Sequence, residues 1–252
     1  MKKVELTGVN IAAFTKFIGM LAKLSPSSTI YFVLDKDSVQ SDSFIESKSL
    51  IKSLRFSMTD FFENEEVPGT IKCTFYSGKK LKEAFSYLNS NNVKIDAYYD
   101  EYDGELFCTK FDITDGKLNL TLNCSDPALI EFASVPQKAI DSLTDVDTAT
   151  NAFQITANEL KQIKGLEKFD TNPYVTVSIN GSIKVKSKNS FEIDINDNMD
   201  QVRENGEYHI DKALLALVED ETYSAWTLED RIILRSVDEK ITNVVALTDL
   251  AG

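Results

Sequence analysis

"ITANELKQIKGLEKF", residues 155–169, closes a strand-like run and opens a helical one. Leu160, Ile163 and Leu166 share an arc at helical spacing, and Lys161, Lys164 and Lys168 fall together on the opposite side. Three alternating stretches follow, at 173–181, 182–189 and 191–197. In the first of them Val175, Val177 and Ile179 point one way while Thr176 and Ser178 point the other, the period of a half-buried strand. The passage reads as a strand, a helix with lysine outward, then three strands.

The same order recurs along the chain. A helix over 10–24 buries Ile11, Phe14, Ile18 and Leu21 with Lys16 and Lys23 opposite, and strands follow at 28–37, 38–47 and 52–58. A strand at 69–78 leads into a helix over 79–88, where Leu81, Phe85 and Leu88 face inward, Lys79 lies opposite, and Lys80 and Lys82 flank it. Strands at 92–102, 104–114 and 116–123 complete that unit, and Leu118, Leu120 and Leu122 alternate with Asn119 and Thr121. The last unit runs from a strand at 206–211 through a helix at 212–221 to strands at 223–230, 231–238 and 243–249. This fourth helix departs from the others, because Lys212 stands against Asp211, Glu219 and Asp220. One topology is thus stated four times without repeating its sequence. Between the second and third statements, residues 125–151 hold two prolines, no strong period and an acidic second half. The expected organisation is a first domain at 1–124, a connector at 125–151 and a second domain at 152–252.

Charge separates the helices from the rest. The chain carries -13 at neutral pH, yet the four helical stretches sum to +3, which leaves -16 elsewhere. Lysine is a good helix former on any solvated face, so one such helix would mean little. Three of them in an acidic chain point to a local positive surface. An overall pI near 4.6 excludes a protein that coats nucleic acid with its whole exterior.

Catalytic signatures are missing. There is no glycine-rich phosphate loop, and the single histidine, His209, sits in a strand-like run where a structural role is the simpler reading. Cys73, Cys108 and Cys124 have no metal-type spacing and read as reduced cytosolic thiols, which sets the expected location as cytoplasm, the host's if the protein is viral. "DINDNMD", residues 194–200, has Met199 where a calcium loop needs glycine and Asn205 where it needs its last carboxylate. "YYDEYDGEL" is acidic, but Asp103-Gly104 marks a hairpin turn, and Trp226 fits a core or sheet position. No cofactor, metal or catalytic role is expected. No apolar run approaches the ~20 residues of a membrane helix. Glu5 and Lys16 interrupt the apolar amino terminus where a secretory leader would be continuous, so the Asn-x-Ser/Thr triplets at Asn119, Asn123 and Asn180 are not expected to be used.

Paired strand-helix-three-strand units, lysine-bearing helices, a mid-chain connector, the second-domain opening "ITANELKQIKGLEKF" and the final strand and tail "NVVALTDLAG" together resemble the DNA polymerase sliding clamps of two-domain type, the proliferating cell nuclear antigens and the clamps of T4-like phages. The resemblance covers nearly the whole chain and implies an α+β clamp fold, with helices lining a ring and sheets outside. It implies a homotrimer that encircles double-stranded DNA without reading sequence, tethers a replicative polymerase and is loaded by a separate ATPase. The lining would consist of Lys16, Lys23, Lys79, Lys80, Lys82, Lys161, Lys164, Lys168 and Lys212. A pocket for partner peptides would draw on Leu129, Ile130, Phe132 and Pro136 from the connector and on Val245, Ala246 and Leu247 near the end. The compact length suits a phage member. Two other readings stay open: a clamp-fold protein that binds DNA as a monomer, as herpesvirus-type processivity factors do, and a β-rich viral structural module.

Overall fold

The structure, a computed structural model, describes all residues except 25–28, 64–65, 89–91, 167–168, 170, 188–189, 196–200 and 249–252, and leaves the side chains of 201–202 undescribed. The chain divides into two compact units, Met1–Glu46 with Ser53–Gln137, and Ser47–Lys52 with Lys138–Gly252.

The first unit runs β1 (Lys2–Leu6), α1 (Ile11–Leu24), β2 (Ile30–Leu34), β3 (Ser38–Phe44), β4 (Leu50–Ser57), β5 (Ile71–Phe75), α2 (Gly78–Ser86), β6 (Lys94–Tyr102), β7 (Glu105–Thr114) and β8 (Asn119–Asn123). Strands β1, β6, β7, β5, β2 and β3 are neighbours in that order, with β8 also on β7; the β5–β7 contact is parallel, and the β1–β6, β6–β7, β7–β8, β2–β5 and β2–β3 contacts are antiparallel. Asp103 and Gly104 turn β6 into β7 with φ of 51° and 79°, the left-handed pair that an Asp-Gly hairpin needs.

Phenylalanine holds this unit together. Phe14 of α1 meets Phe32 of β2, Phe61 and Phe85 of α2 edge-on, with ring centroids 6.1, 5.5 and 5.1 Å away. All four rings are buried, and each such ring stabilises the fold by about 1.5–3 kcal/mol. Of the expected arc on α1, Phe14, Ile18 and Leu21 are buried and Ile11 is half-buried; Phe17, Met20 and Leu24 are buried too, Phe17 among Phe32, Phe56 and Phe61, while α2 lies against α1 through the Phe14–Phe85 contact. The close approach depends on Gly78, where an added Cβ would stand 2.9 Å from the Ala22 Cα and 2.8 Å from Ile30 Cγ2.

A 3-10 turn at Pro127–Phe132 follows β8, and α3 (Gln137–Leu143) leads into the second unit. That unit contains β9 (Asn151–Ile155), α4 (Ala157–Leu166), β10 (Tyr174–Ile179), β11 (Ile183–Ser187), β12 (Phe191–Ile195), the two-residue β13 (Gln201–Val202), β14 (Gly206–Asp211), α5 (Lys212–Leu215), β15 (Tyr223–Thr227), β16 (Arg231–Ser236) and β17 (Ile241–Ala246). One sheet runs β17-β16-β15-β9-β13, and a second runs β12-β11-β10-β14. The segment that opens β4 belongs here, with the Ala246 N–H donating to the Ser49 carbonyl at 2.8 Å. Thr156 and Glu159 form a reciprocal cap on α4: the Thr156 N–H donates to the Glu159 carboxylate at 2.7 Å and the Glu159 N–H to the Thr156 hydroxyl at 3.2 Å.

Strand, helix and three strands therefore occur four times among the described residues, with α3 before the third set and β13 before the fourth. The expected fourth helix is a correction. It ends at Leu215 instead of reaching 221. In the segment that follows the helix, the Leu217 carbonyl accepts from Lys52 Nζ at 2.9 Å and the Val218 carbonyl accepts from Lys164 Nζ.

Candidate nucleic-acid face and connector groove

Asn10 caps α1 through the Ala13 N–H at 3.1 Å, and Ser77 caps α2 through the Lys80 N–H at 3.3 Å. These caps fix where each helix begins and so which side chains point away from the phenylalanine core. Lys16 and Lys23 on α1 and Lys79, Lys80 and Lys82 on α2 are all exposed. Lys82 extends over α1, since a Cβ on Gly19 would meet its Nζ at 3.6 Å. Side by side, the two helices form one cationic layer in an acidic molecule.

The second unit offers less. Lys161 is exposed on α4. Lys164 is turned to other work: its ammonium holds the Val218 carbonyl and sits 2.6 Å from Asp220. Lys212 is half-buried at the start of α5, next to the capping Asp211. Lys168 lies outside the described residues.

The connector is fastened to the first unit by backbone and charge. Asp126 accepts from the Ala128 N–H at 2.9 Å and starts the 3-10 turn, with Pro127 at its first position. The Val135 N–H donates to the Asp42 carbonyl at 2.9 Å, and the Asp42 carboxylate lies 2.7 Å from Arg55. Ile130 and Pro136 line the same cavities, one of about 480 Å³ floored by Lys72 and Phe107, another of about 310 Å³ floored by Tyr31 and Val33. Leu129 is half-buried on the turn, and Phe132 is 70% exposed. Burial pushes the Tyr31 phenol up to about 12.

Val245, Ala246 and Leu247 belong to the second unit. The Val245 side chain is 0% exposed and pairs with Ile232 across the sheet, so it serves the core and is unavailable to a ligand, while Ala246 and Leu247 are half-buried. Sequence pattern alone does not mark Lys72 and Phe107 as site residues. The alternation in "IKCTF" carries the signal for Lys72, since Ile71 and Cys73 are buried and Lys72 stands on the other face.

His209 Nδ1 lies 2.9 Å from the Thr176 hydroxyl, and its ring meets Tyr174 edge-on; it braces the β10–β14 pair. Trp226 packs on the cluster of Ala149, Leu228, Ile233 and Val244 beneath the Arg235 guanidinium. Among the described residues no group of three or more His, Cys, Asp or Glu is arranged to hold a metal, and no helix is long and apolar enough to cross a membrane.

No family model and no curated protein matches the sequence. Solved structures do match the fold. The proliferating cell nuclear antigen of Entamoeba histolytica superposes with a TM-score of 0.73 at 10% identity, over 98% of this chain and 99% of that one. The Archaeoglobus fulgidus antigen solved with the C-terminal region of FEN-1 gives 0.70 at 9% identity, over 99% and 100%. The β chain of DNA polymerase III from Streptococcus pneumoniae gives 0.67 at 14% identity over 99% of this chain and 65% of that one. The α+β architecture of this chain is that of the DNA sliding clamps.

Proposed function

We propose that this chain is a DNA polymerase processivity factor, a non-enzymatic ring of three copies that encircles duplex DNA and tethers a replicative polymerase. The observation that carries the reading is the layer of five exposed lysines on α1 and α2 in a chain of net charge -13. Lysines held on stiff helices attract phosphates at no particular base, so the duplex is retained and still slides, while an acidic remainder limits binding elsewhere.

Ring closure has support in the strand edges. Among the described residues β8 pairs only with β7, and β12 only with β11. An open edge presents unpaired amides and carbonyls to another chain. Open edges on both units suit a head-to-tail contact, which generates a ring when its rotation closes. A separate ATPase would open the ring on DNA, and partner peptides would dock along the connector at Leu129, Ile130, Phe132 and Pro136; the A. fulgidus antigen of the same fold is solved with the C-terminal region of FEN-1 bound.

Light scattering over a range of protein concentrations tests this. Three 28.2 kDa chains give about 85 kDa, and such a species should stimulate a polymerase on primed circular DNA. A particle that stays at 28.2 kDa when concentrated removes the ring and leaves a monomeric clamp-fold DNA binder.

A further inference from the structure

We infer that Asn180 is a self-modifying site, where the side-chain amide is lost through a cyclic imide to leave aspartyl and isoaspartyl forms, and that the fold spares the same dipeptide at Asn205. Asn180-Gly181 and Asn205-Gly206 are the two Asn-Gly pairs of the chain. Both asparagines are exposed, and both lie in the second unit. The register of β10 on β14 sets Ile179 opposite Gly206, so the two pairs sit at the same end of that sheet. One molecule therefore holds a reactive sequence twice, in two backbone settings.

The chemistry needs only the chain and water. The Gly181 amide nitrogen attacks Asn180 Cγ; the Cγ–Nδ2 bond breaks, and ammonia leaves with the proton that the Gly181 nitrogen gives up. Water then opens the ring at Cγ to give aspartate, or at the main-chain carbonyl to give isoaspartate, whose backbone is longer by one carbon. Either product adds a carboxylate. Attack demands that the following amide swing toward the side chain, and glycine presents no Cβ to that approach. At the tip between β10 and β11 the swing is open. Gly181 is exposed with φ of 68°, and an added Cβ would meet nothing within 4 Å. The Asn180 N–H donates to the Ser182 carbonyl at 3.0 Å, and the Gly181 amide lies beyond the last β10–β11 pair, Ile179 with Ile183. At Asn205 the swing is blocked. The Arg203 and Glu204 N–H groups both donate to Asn151 Oδ1, at 3.1 and 3.3 Å, and Asn151 is buried. Gly206 already belongs to β14, and an added Cβ there would stand 3.1 Å from the Tyr208 hydroxyl, which accepts from Asn151 Nδ2 at 3.0 Å. Backbone held on both sides of Asn205 moves only when the structure around it opens.

The site stands whether or not the chain closes into a ring. The test ages the full chain at pH 8 and 37 °C, native and in urea, and follows the tryptic peptides 169–184 and 204–212 by mass spectrometry. Isoaspartate is scored separately, by an isoaspartyl carboxyl methyltransferase with labelled S-adenosylmethionine. In the native protein Asn180 should convert at least about tenfold faster than Asn205, and in urea the two rates should come together. Asn180→Gln, which cannot close the five-membered ring, should remove most of the methyl acceptance of the aged native protein with unchanged thermal melts. An Asn180 that stays intact in the native protein, or converts no faster than Asn205, overturns the assignment. So does a difference that persists in urea, because the flanking residues and not the fold would then be choosing between the two pairs.

Discussion

Lys52 points its ammonium at Glu219, 2.5 Å from the carboxylate, with side chains 0% and 6% exposed. Both belong to the second unit, and Lys52 donates as well to the Leu217 carbonyl at 2.9 Å. This pair fixes the segment that follows α5. Lys52→Met should destabilise the protein by about 3–5 kcal/mol, since Glu219 would remain buried without its partner, whereas Lys52→Met with Glu219→Leu should recover most of the loss. Urea unfolding of the three proteins measures it. A double variant as unstable as the single one would mean that the pair itself, and not the orphaned charge, carries the stability.

Gly78→Ala tests the helix contact in the first unit. The new methyl would meet the Ala22 backbone at 2.9 Å, which can yield only if α1 and α2 separate. The expected cost is about 1–3 kcal/mol. Gly165→Ala on α4, where nothing lies within 4 Å, should be neutral or slightly stabilising. Comparable melts for both variants would contradict the packing argument.

The contrast between those helices explains what was legible. Apolar arcs on α1, α2 and α4 announce themselves because each covers a sheet, and period alone reports that. The segment after α5 is held by Lys52, more than 160 residues away along the chain, through the Leu217 carbonyl, and no local pattern carries such a contact. Lys164 is the same case, indistinguishable from Lys161 by spacing and separated from it only by the neighbourhood of Val218 and Asp220. Val245 reads as an apolar end residue, but the sheet buries it. At the connector the apolar residues were visible, while their floor of Lys72 and Phe107 comes from other strands.

The three thiols should be slow to react. Burial raises Cys73; hydrogen bonding with Cys108 and then burial raise Cys124; Cys108 is drawn down by Cys124 but lifted further by Cys73 and burial. A raised folded pKa means protons held more tightly in the native state. The associated stability is complete below the ordinary thiol value of 9.0 and is lost as pH climbs beyond it. Iodoacetamide at pH 8 should therefore label the native protein far more slowly than the urea-unfolded one, with half-exposed Cys124 first. Mass spectrometry reads the adducts, and rapid native labelling of Cys73 would refute the protected cluster.

On the clamp function proposed above, the lysines of α1 and α2 would meet DNA and Lys164 would not. Replacing Lys16, Lys79 and Lys80 by alanine removes exposed charge and touches no core contact, so the fold and the oligomer should be unchanged. Each lost phosphate contact lowers the slope of log K against log salt by about 0.9, and three should lower it by about 2.7. Lys164→Ala removes the ammonium from the Val218 carbonyl and from Asp220, 2.6 Å away, which should cost about 1.5–3 kcal/mol of stability and leave the salt slope near its starting value. Retention on closed circular DNA at several salt concentrations, set beside urea unfolding, separates the two effects. If the triple variant kept the full slope, the cationic layer would not face DNA, and a steeper loss from Lys164→Ala would move the contact to the second unit.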